Sequence, residues 1–299
     1  MDNKTTIIGL ERFDLVDNAE QYKIERISVP EADAILGLPY KCLDHGFVRF
    51  IDYMGNDSRV VQAARTSYSK GTKTIREDEG LINYLVRNEH TSPIEMVEFL
   101  FHAKMPIFVA RQWIRHRTAS VNEMSARYSI LENEFYIPED AQICYQSKDN
   151  KQGRSGQMVE VDIRNVKHLM KKVFDESHEI YEILIDMGLA RELARDVLPT
   201  SIYTQWYWKI DLKNLLHFLK LRLDGHAQYE IRVYGEVISE MVRLVTPMVY
   251  NAFKKHILLA KKFSSDDVEI LRKIWKELAE NREPYIEEEL IDELGRMLK

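Results

Sequence analysis

The stretch RQWIRHRTASVNEMSARYS, from Arg111 to Ser129, gathers side chains able to grip a small anion. Arg111, Arg115, Arg117 and Arg127 stand among Gln112, His116, Asn122, Glu123 and Ser125. Arginine forks match the paired oxygens of a phosphate. Side-chain amides read ring edges that carry both a donor and an acceptor. The lone carboxylate, Glu123, can balance the positive field or accept from a sugar hydroxyl. A ligand with a phosphate, a sugar and a polar ring fits this set, and that is a nucleotide. Two arginines four apart on a helix more often form a solvated face. The amides and hydroxyls packed around these shift the balance towards a site. The stretch lacks the glycine pattern of a P-loop or a dinucleotide-binding turn, so side chains more than backbone amides must hold the phosphate.

The surrounding chain limits what that anion can be. Its 42 Lys+Arg against 48 Asp+Glu give a net charge of −6, so the arginine knot is a local feature. Nucleic acid wants a basic face, so no nucleic-acid partner is expected. The 299 residues are 45% apolar, enough to bury a substantial core. Cys42 and Cys144 form no CxxC pair, which argues against cysteine-bound zinc and against a disulfide framework. A reducing, cytoplasmic setting is the expectation. The first residues, MDNKTTIIGLERFDL, lack the apolar stretch of a signal peptide. No run of about 18 apolar residues occurs, so no membrane span is expected. No His/Asp/Glu spacing suggests a metal.

The elements that must position these residues can be read from periodicity. FVRFIDYMG (47–55) reads as a strand ended by Gly55, and NDSRVVQAARTSY after it as a capped helix. EDEGLINYLVRNEH is a second helix. MVEFLFHAKM alternates apolar and polar residues and predicts a half-buried strand. Pro106 then opens a short helix, PIFVARQWIRH, on which Gln112, Arg111 and Arg115 share a face. RTASVNEMSARYS is too polar to continue it and is expected as a loop, as is 146–157. A long amphipathic helix runs through Val166 to Leu184 and stops near Gly188. ARELARDVLP is a short helix ended by Pro199, with Arg191 and Arg195 on one side. TSIYTQWYWKI is a strand, and Asp211 caps the leucine-spaced helix LKNLLHFLKLRL. GHAQYEIRVYGEVISEMVRLV is another helix, Pro247 opens the next, and two charged helices follow from Ser264, with Ser264 and Asp267 as the capping pair. The fold class is α+β: a single mixed α/β domain over residues 44–260, an N-terminal extension of unclear structure over 1–43, and a helical C-terminal extension over 261–299.

RHRTASVNEMSAR, from Arg115 to Arg127, resembles the signature of flavin-dependent thymidylate synthases, RHRxxSxNExSxR, at every fixed position. PIFVARQW, RELARDVLP, FLKLR and GHAQYEI look like later blocks of that family, in its order. The resemblance runs roughly from Phe47 to His256 and implies a mixed α/β fold, assembled as a homotetramer with active sites between subunits. It implies reductive methylation of dUMP to dTMP, with methylenetetrahydrofolate as carbon donor and NADPH reducing a bound FAD. Carried over by position, Ser92, Arg115, His116, Arg117, Glu123, Asp211, Lys213 and His217 would contact FAD. Gln112, Trp113, Ile114, Arg115, Glu123, Met124, Ser125, Ala126, Arg127, Arg195 and Arg222 would hold dUMP. Arg222 and Ser125 are the residues expected closest to the chemistry. Arg222 is expected to polarise the uracil ring, and Ser125 to donate a hydrogen bond to dUMP.

This chain departs from the family pattern at four positions, one of them Ser92, which replaces a more usual Thr and keeps the hydroxyl. Asp211, Lys213 and His217 stand where the family often has Asn-x-Arg and a later Asn. Asp211 reads equally well as a helix cap, and Lys213 keeps charge without the arginine fork. Two other classes of function compete with this one: an arginine loop gripping an oligonucleotide, and an inactive homologue serving as a structural tetramer. The acidic charge opposes the first and the intact signature opposes the second.

Overall fold

Alternation over Glu98–Pro106 makes β3, with Phe99, Phe101, Ala103 and Met105 buried on one face and Leu100, His102 and Lys104 half-buried on the other. β3 is the middle of a five-stranded antiparallel sheet. The computed structural model describes residues 26–66, 75–149, 151 and 153–281. The strands are β1 (Pro39–Cys42), β2 (Gly46–Met54), β3, β4 (Ser120–Glu123) and β7 (Tyr203–Asp211), in the order β1-β2-β3-β7-β4. β5 (Cys144–Gln146) and β6 (Arg154–Gln157) form a separate hairpin.

The helices are α1 (Pro30–Asp33), α2 (Asp57–Arg65), α3 (Ile75–Arg87), α4 (Ile107–Trp113), α5 (Glu160–Asp186), α6 (Arg191–Ala194), α7 (Leu212–Arg222), α8 (Tyr229–Val245), α9 (Pro247–Phe253) and α10 (Ser265–Asn281). Helices α4, α7 and α8 cover one sheet face, where Trp206, Trp208 and Ile210 of β7 join Phe99 and Phe101 of β3 in the main core. A smaller core lies under α5, where Phe174 and Tyr181 meet Phe135 and Ile202. Burial of aromatic side chains on this scale supplies most of the drive to fold.

Most of the periodicity reading is realised. Gly55 has φ 88°, a conformation that a side chain resists, and it separates β2 from α2. Asn56 caps α2 by accepting from the Ser58 N–H. Gly188, at φ 84°, ends α5. Asp211 caps α7 by accepting from the Asn214 N–H at 2.9 Å. Ser264 and Asp267 cap α10 reciprocally, each side chain accepting from the other residue's backbone N–H. The second helix expected in the tail lies outside the described residues.

Three expectations are corrected. The segment expected as a loop after the arginine helix contains β4, because the free edge of β7 offers a ladder that polar residues can join. The arginine helix expected to reach His116 ends at Trp113, and the His116 N–H turns back to the Trp113 carbonyl at 3.0 Å. Arg115 therefore falls past the helix and does not share the face of Gln112. The loop expected over 146–157 is a hairpin, closed where the Ser147 N–H donates to the Gly153 carbonyl. The unread N-terminal stretch ends in β1, which adds an edge strand to the main sheet. Among the described residues no helix is long and apolar enough to cross a membrane.

Candidate functional site

Trp113 and Phe218 fix the corner from which the site is built. Trp113, the last residue of α4, has no exposed surface. It stacks on Phe218 of α7 at 5.2 Å and meets Trp206 and Trp208 edge-on at 5.4 and 5.1 Å. This packing brings the end of α4 to the end of α7. Arg222, the last residue of α7, then donates from Nε to His116 Nε2 at 3.2 Å and from Nη2 to the Gln112 carbonyl at 3.1 Å. The Gln112 amide reaches Gln228 Oε1, at the start of α8, at 2.5 Å. His116 also packs on Phe218 at 5.0 Å and faces the His217 ring at 5.9 Å.

The electrostatics of this corner follow from burial. Loss of solvent, then the nearby Arg222 charge, then His217, pull the His116 imidazole down to about 4. A neutral ring is thus held at ordinary pH, and its Nε2 can accept from Arg222. Burial also lowers Arg222 from its usual value. Guanidinium ordinarily titrates far above neutrality, so it remains a fixed cation with unused donors.

Beside the corner lies a cleft of about 240 Å³ between α3, the turn at Glu89–Ile94 and α7. Lys213, His217 and Lys220 line it from one helix, facing Thr91 and the apolar Leu85 and Ile257. Ser92 opens instead into a neighbouring hollow with His90 and Tyr84. The Asp211 carboxylate is engaged by its own helix, since both oxygens accept from Asn214, at 2.9 and 2.6 Å.

A second group surrounds the end of β4. Glu123 accepts from the Thr204 hydroxyl at 2.8 Å, and the Met124 N–H joins the Gln205 carbonyl at 2.9 Å. The Ser125 hydroxyl accepts from the Arg127 N–H at 3.3 Å. Arg127 pairs with Glu192 of α6 at 3.1 Å, and the Arg195 Nε donates to the Glu192 carbonyl at 3.3 Å. Arg191 reaches the Tyr128 carbonyl at 2.8 Å.

The structure therefore brings Gln112, His116, His217 and Arg222 together, and gathers Ser125, Arg127 and Arg195 around Glu192. Among the described residues no hydrogen bond or ion pair joins these two groups. Arg115 and Arg117 are exposed, as is Ile114. Trp113 can offer a ligand only its main chain, and Met124 and Ala126 pack against the smaller core. Lys220, Gln228 and Glu192 were not singled out from the sequence. Lys220 was findable, because it lies seven residues after Lys213 on one helix face. Glu192 and Gln228 were not, because their partners lie far away in the chain.

Comparison with known proteins places this geometry in context. Residues 49–248 match the family model described as thymidylate synthase complementing protein. A flavin-dependent thymidylate synthase of Wolbachia pipientis wMel is 56% identical over 255 residues, spanning 84% of this chain and 89% of the relative. One from Treponema denticola is 55% identical over 236 residues, spanning 79% and 89%. Among solved structures, the UMP/dUMP methylase PolB from Streptomyces cacaoi bound with 5-Br dUMP is similar at a TM-score of 0.68 and 30% identity, covering 74% of this chain and 100% of that one.

Proposed function

The chain belongs to the family of flavin-dependent thymidylate synthases, and from that premise we propose which of its residues carry the reaction. The reaction is the reductive methylation of dUMP to dTMP, with FAD as the bound cofactor. Methylenetetrahydrofolate supplies the carbon and NADPH the reducing equivalents. We assign the catalytic unit to residues 44–260, within which the family match falls, and the flanking segments 1–43 and 261–299 to extensions.

The donor set fits the cofactor. A cleft with Lys213, His217 and Lys220 on one wall and Leu85, Leu216 and Ile257 among its other residues suits a flat, partly apolar ring system that carries phosphates. Lys213, His217, His116 and the exposed Arg115 and Arg117 are the residues we assign to FAD, with Ser92 and Glu123 at its margins. The Asp211 side chain is better read as the cap of α7. When bound, the flavin supplies hydride, which no side chain can do.

The substrate residues divide by task. Arg127 and Arg195 take the phosphate, Ser125 donates a hydrogen bond, and Gln112 reads the ring. Arg222 sets a cation beside the uracil carbonyl, favouring the enolate-like form whose five-position carbon is nucleophilic. His116 and the Gln112 carbonyl hold that guanidinium in place, so little reorganisation is needed when charge develops. The observation that carries this reading is the bond from Arg222 to a neutral His116 at the meeting of α4 and α7.

The division of site residues into two unbonded groups supports assembly as a homotetramer, in which one subunit's Arg222 corner is completed by another's Arg127 group. Two unpaired cysteines fit a cytoplasmic protein. The test is direct. Purified protein is expected to be yellow, or to become so with FAD, and to form dTMP from dUMP only with methylenetetrahydrofolate and NADPH. A colourless protein that neither takes up FAD nor forms dTMP would overturn the assignment.

A further inference from the structure

The phosphate-binding arginine of this enzyme already has an anion. Arg127 Nη2 lies 3.1 Å from Glu192 Oε2, and both side chains are about half exposed, at 55% and 52%. Glu192 stands between two further arginines of its own turn, neither of which pairs with its carboxylate. Arg195 Nε donates to its backbone carbonyl, and Arg191 ties α6 to the 125–129 segment through the Tyr128 carbonyl. The Ser125 hydroxyl, on the same turn, accepts from the Arg127 N–H. A carboxylate so placed offers Arg127 what a phosphate would offer: charged oxygen acceptors for a planar fork.

We propose that Glu192 is a displaceable counter-ion that sets the affinity and charge selectivity of the dUMP phosphate site. This rests on the assignment of Arg127 to that phosphate. In the free protein Glu192 holds the Arg127 fork and neutralises it. A phosphate monoester, with more charge and more acceptor oxygens, takes Arg127 over, and the Glu192 carboxylate turns out to water. Displacement costs little because the pair is exposed: such pairs are worth up to about a five-fold change in an equilibrium. After displacement the carboxylate remains near the phosphate and repels it. Both effects weaken dUMP binding, so Glu192 trades affinity for a site that only a strongly charged ligand opens. Deoxyuridine, with no phosphate, leaves the pair intact.

The sign of this effect makes it testable. Glu192→Gln keeps the shape and removes the charge, so dUMP is expected to bind about three- to ten-fold more tightly to the FAD-loaded enzyme, and inorganic phosphate to compete more strongly, both by titration calorimetry. Flavin absorbance and deoxyuridine binding should be unaffected. The gain should vanish in the Arg127→Ala background, because the interaction is pairwise. Weaker dUMP binding by Glu192→Gln would make Glu192 a support that holds Arg127 ready, and unchanged binding would make the pair inconsequential; either overturns the proposal. Arg127→Ala separates this from the underlying assignment. If that variant alone leaves dUMP affinity intact, the phosphate does not sit at Arg127. If it weakens dUMP while Glu192→Gln tightens nothing, the assignment stands and the counter-ion role falls.

Discussion

Arg222 donates from Nε to Nε2 of His116 at 3.2 Å, with the imidazole as acceptor. Arg222 ends α7 and His116 follows α4, so two helix ends 106 residues apart in sequence converge on one bond. The Gln112 carbonyl takes a second guanidinium donor at 3.1 Å. With Nε and one Nη2 proton committed to the protein, the donors that remain have a defined direction.

That geometry predicts the behaviour of Arg222→Lys. Lysine keeps the charge but cannot bond His116, bond Gln112 and offer a parallel pair of donors at once. If Arg222 stabilises charge developing on the uracil ring, turnover at saturating dUMP should fall by about two orders of magnitude, as for loss of one preorganised donor. Flavin content should be retained. Steady-state kinetics decide the matter: near-normal kcat with a raised KM would make Arg222 a binding residue only.

His116 carries a pH prediction. Its imidazole is held down at about 4, first by burial, then by Arg222 and His217. An unfolded histidine titrates near 6.5, so between those values the unfolded chain binds the proton and the folded chain does not. The neutral ring therefore contributes stability that is full above about 6.5 and is lost as pH falls through about 4. Thermal melts should show the wild type losing more stability over that window than His116→Gln, which has no titrating ring. Nitrogen-15 spectra of the labelled imidazole should show a neutral ring at pH 6. A signal that titrates near 6.5 would remove the burial argument and with it the aligned Arg222.

How much of this was legible beforehand varies with the range of the interaction. The alternation of β3 and the caps at Asn56 and Asp211 are local, and each element formed where its pattern said. β4 was missed because, among the described residues, its strand partner is the edge of β7, whose Tyr207 pairs with Asn122 from 85 positions away. The arginine signature reads as a nucleotide site only as a constellation, and spacing places Arg115 on a helix that in the structure stops at Trp113. Tertiary packing chose that end: Trp113 is anchored by Phe218 and two further tryptophans, none of them local. The pairs Arg127–Glu192 and Gln112–Gln228 join residues whose types are ordinary and whose meeting depends on the whole fold.

Asp57 supplies a stability prediction away from the site. It opens α2, and its two carboxylate oxygens accept the Met248 and Val249 N–H groups at the start of α9, at 2.8 and 3.0 Å. Burial raises its carboxyl to about 6, against the pull of those two bonds. A raised acid binds its proton more tightly when folded. The associated stability is therefore full below the unfolded value near 3.8 and is lost as pH rises through about 6. Asp57→Ala leaves one buried and one half-buried donor unpaired and should cost about 2 kcal/mol in denaturant unfolding at pH 7. Asp57→Asn keeps one acceptor and should cost less, with a flatter pH dependence between 4 and 6. Equal losses for the two variants would show that the cap is not what Asp57 provides.

The chain offers no activated protein nucleophile to the uracil ring among its described residues. A thymidylate synthase that attacked the uracil ring covalently would need an activated thiolate in a cationic, ligand-facing setting. Cys42 is buried among apolar residues of the main core, and burial pushes its thiol up to about 12. Cys144 begins the β5–β6 hairpin, its thiol directed at the Ala141 carbonyl at 3.6 Å. Neither stands in the arginine groups. Ser125 is the remaining hydroxyl, and a serine is a weak nucleophile unless a base takes its proton. The nearest carboxylate in sequence, Glu123, is turned to the Thr204 hydroxyl at 2.8 Å, while the Ser125 hydroxyl accepts from the Arg127 N–H. That leaves Ser125 its proton to donate to a ligand. The Cys42→Ala/Cys144→Ala double variant should keep most of its NADPH-dependent dTMP formation. Ser125→Ala should bind dUMP more weakly and turn over more slowly, yet measurably. Complete loss of dTMP formation by Ser125→Ala, with FAD and dUMP bound as in the wild type, would restore the serine as nucleophile and require a base that Glu123, in this position, cannot be.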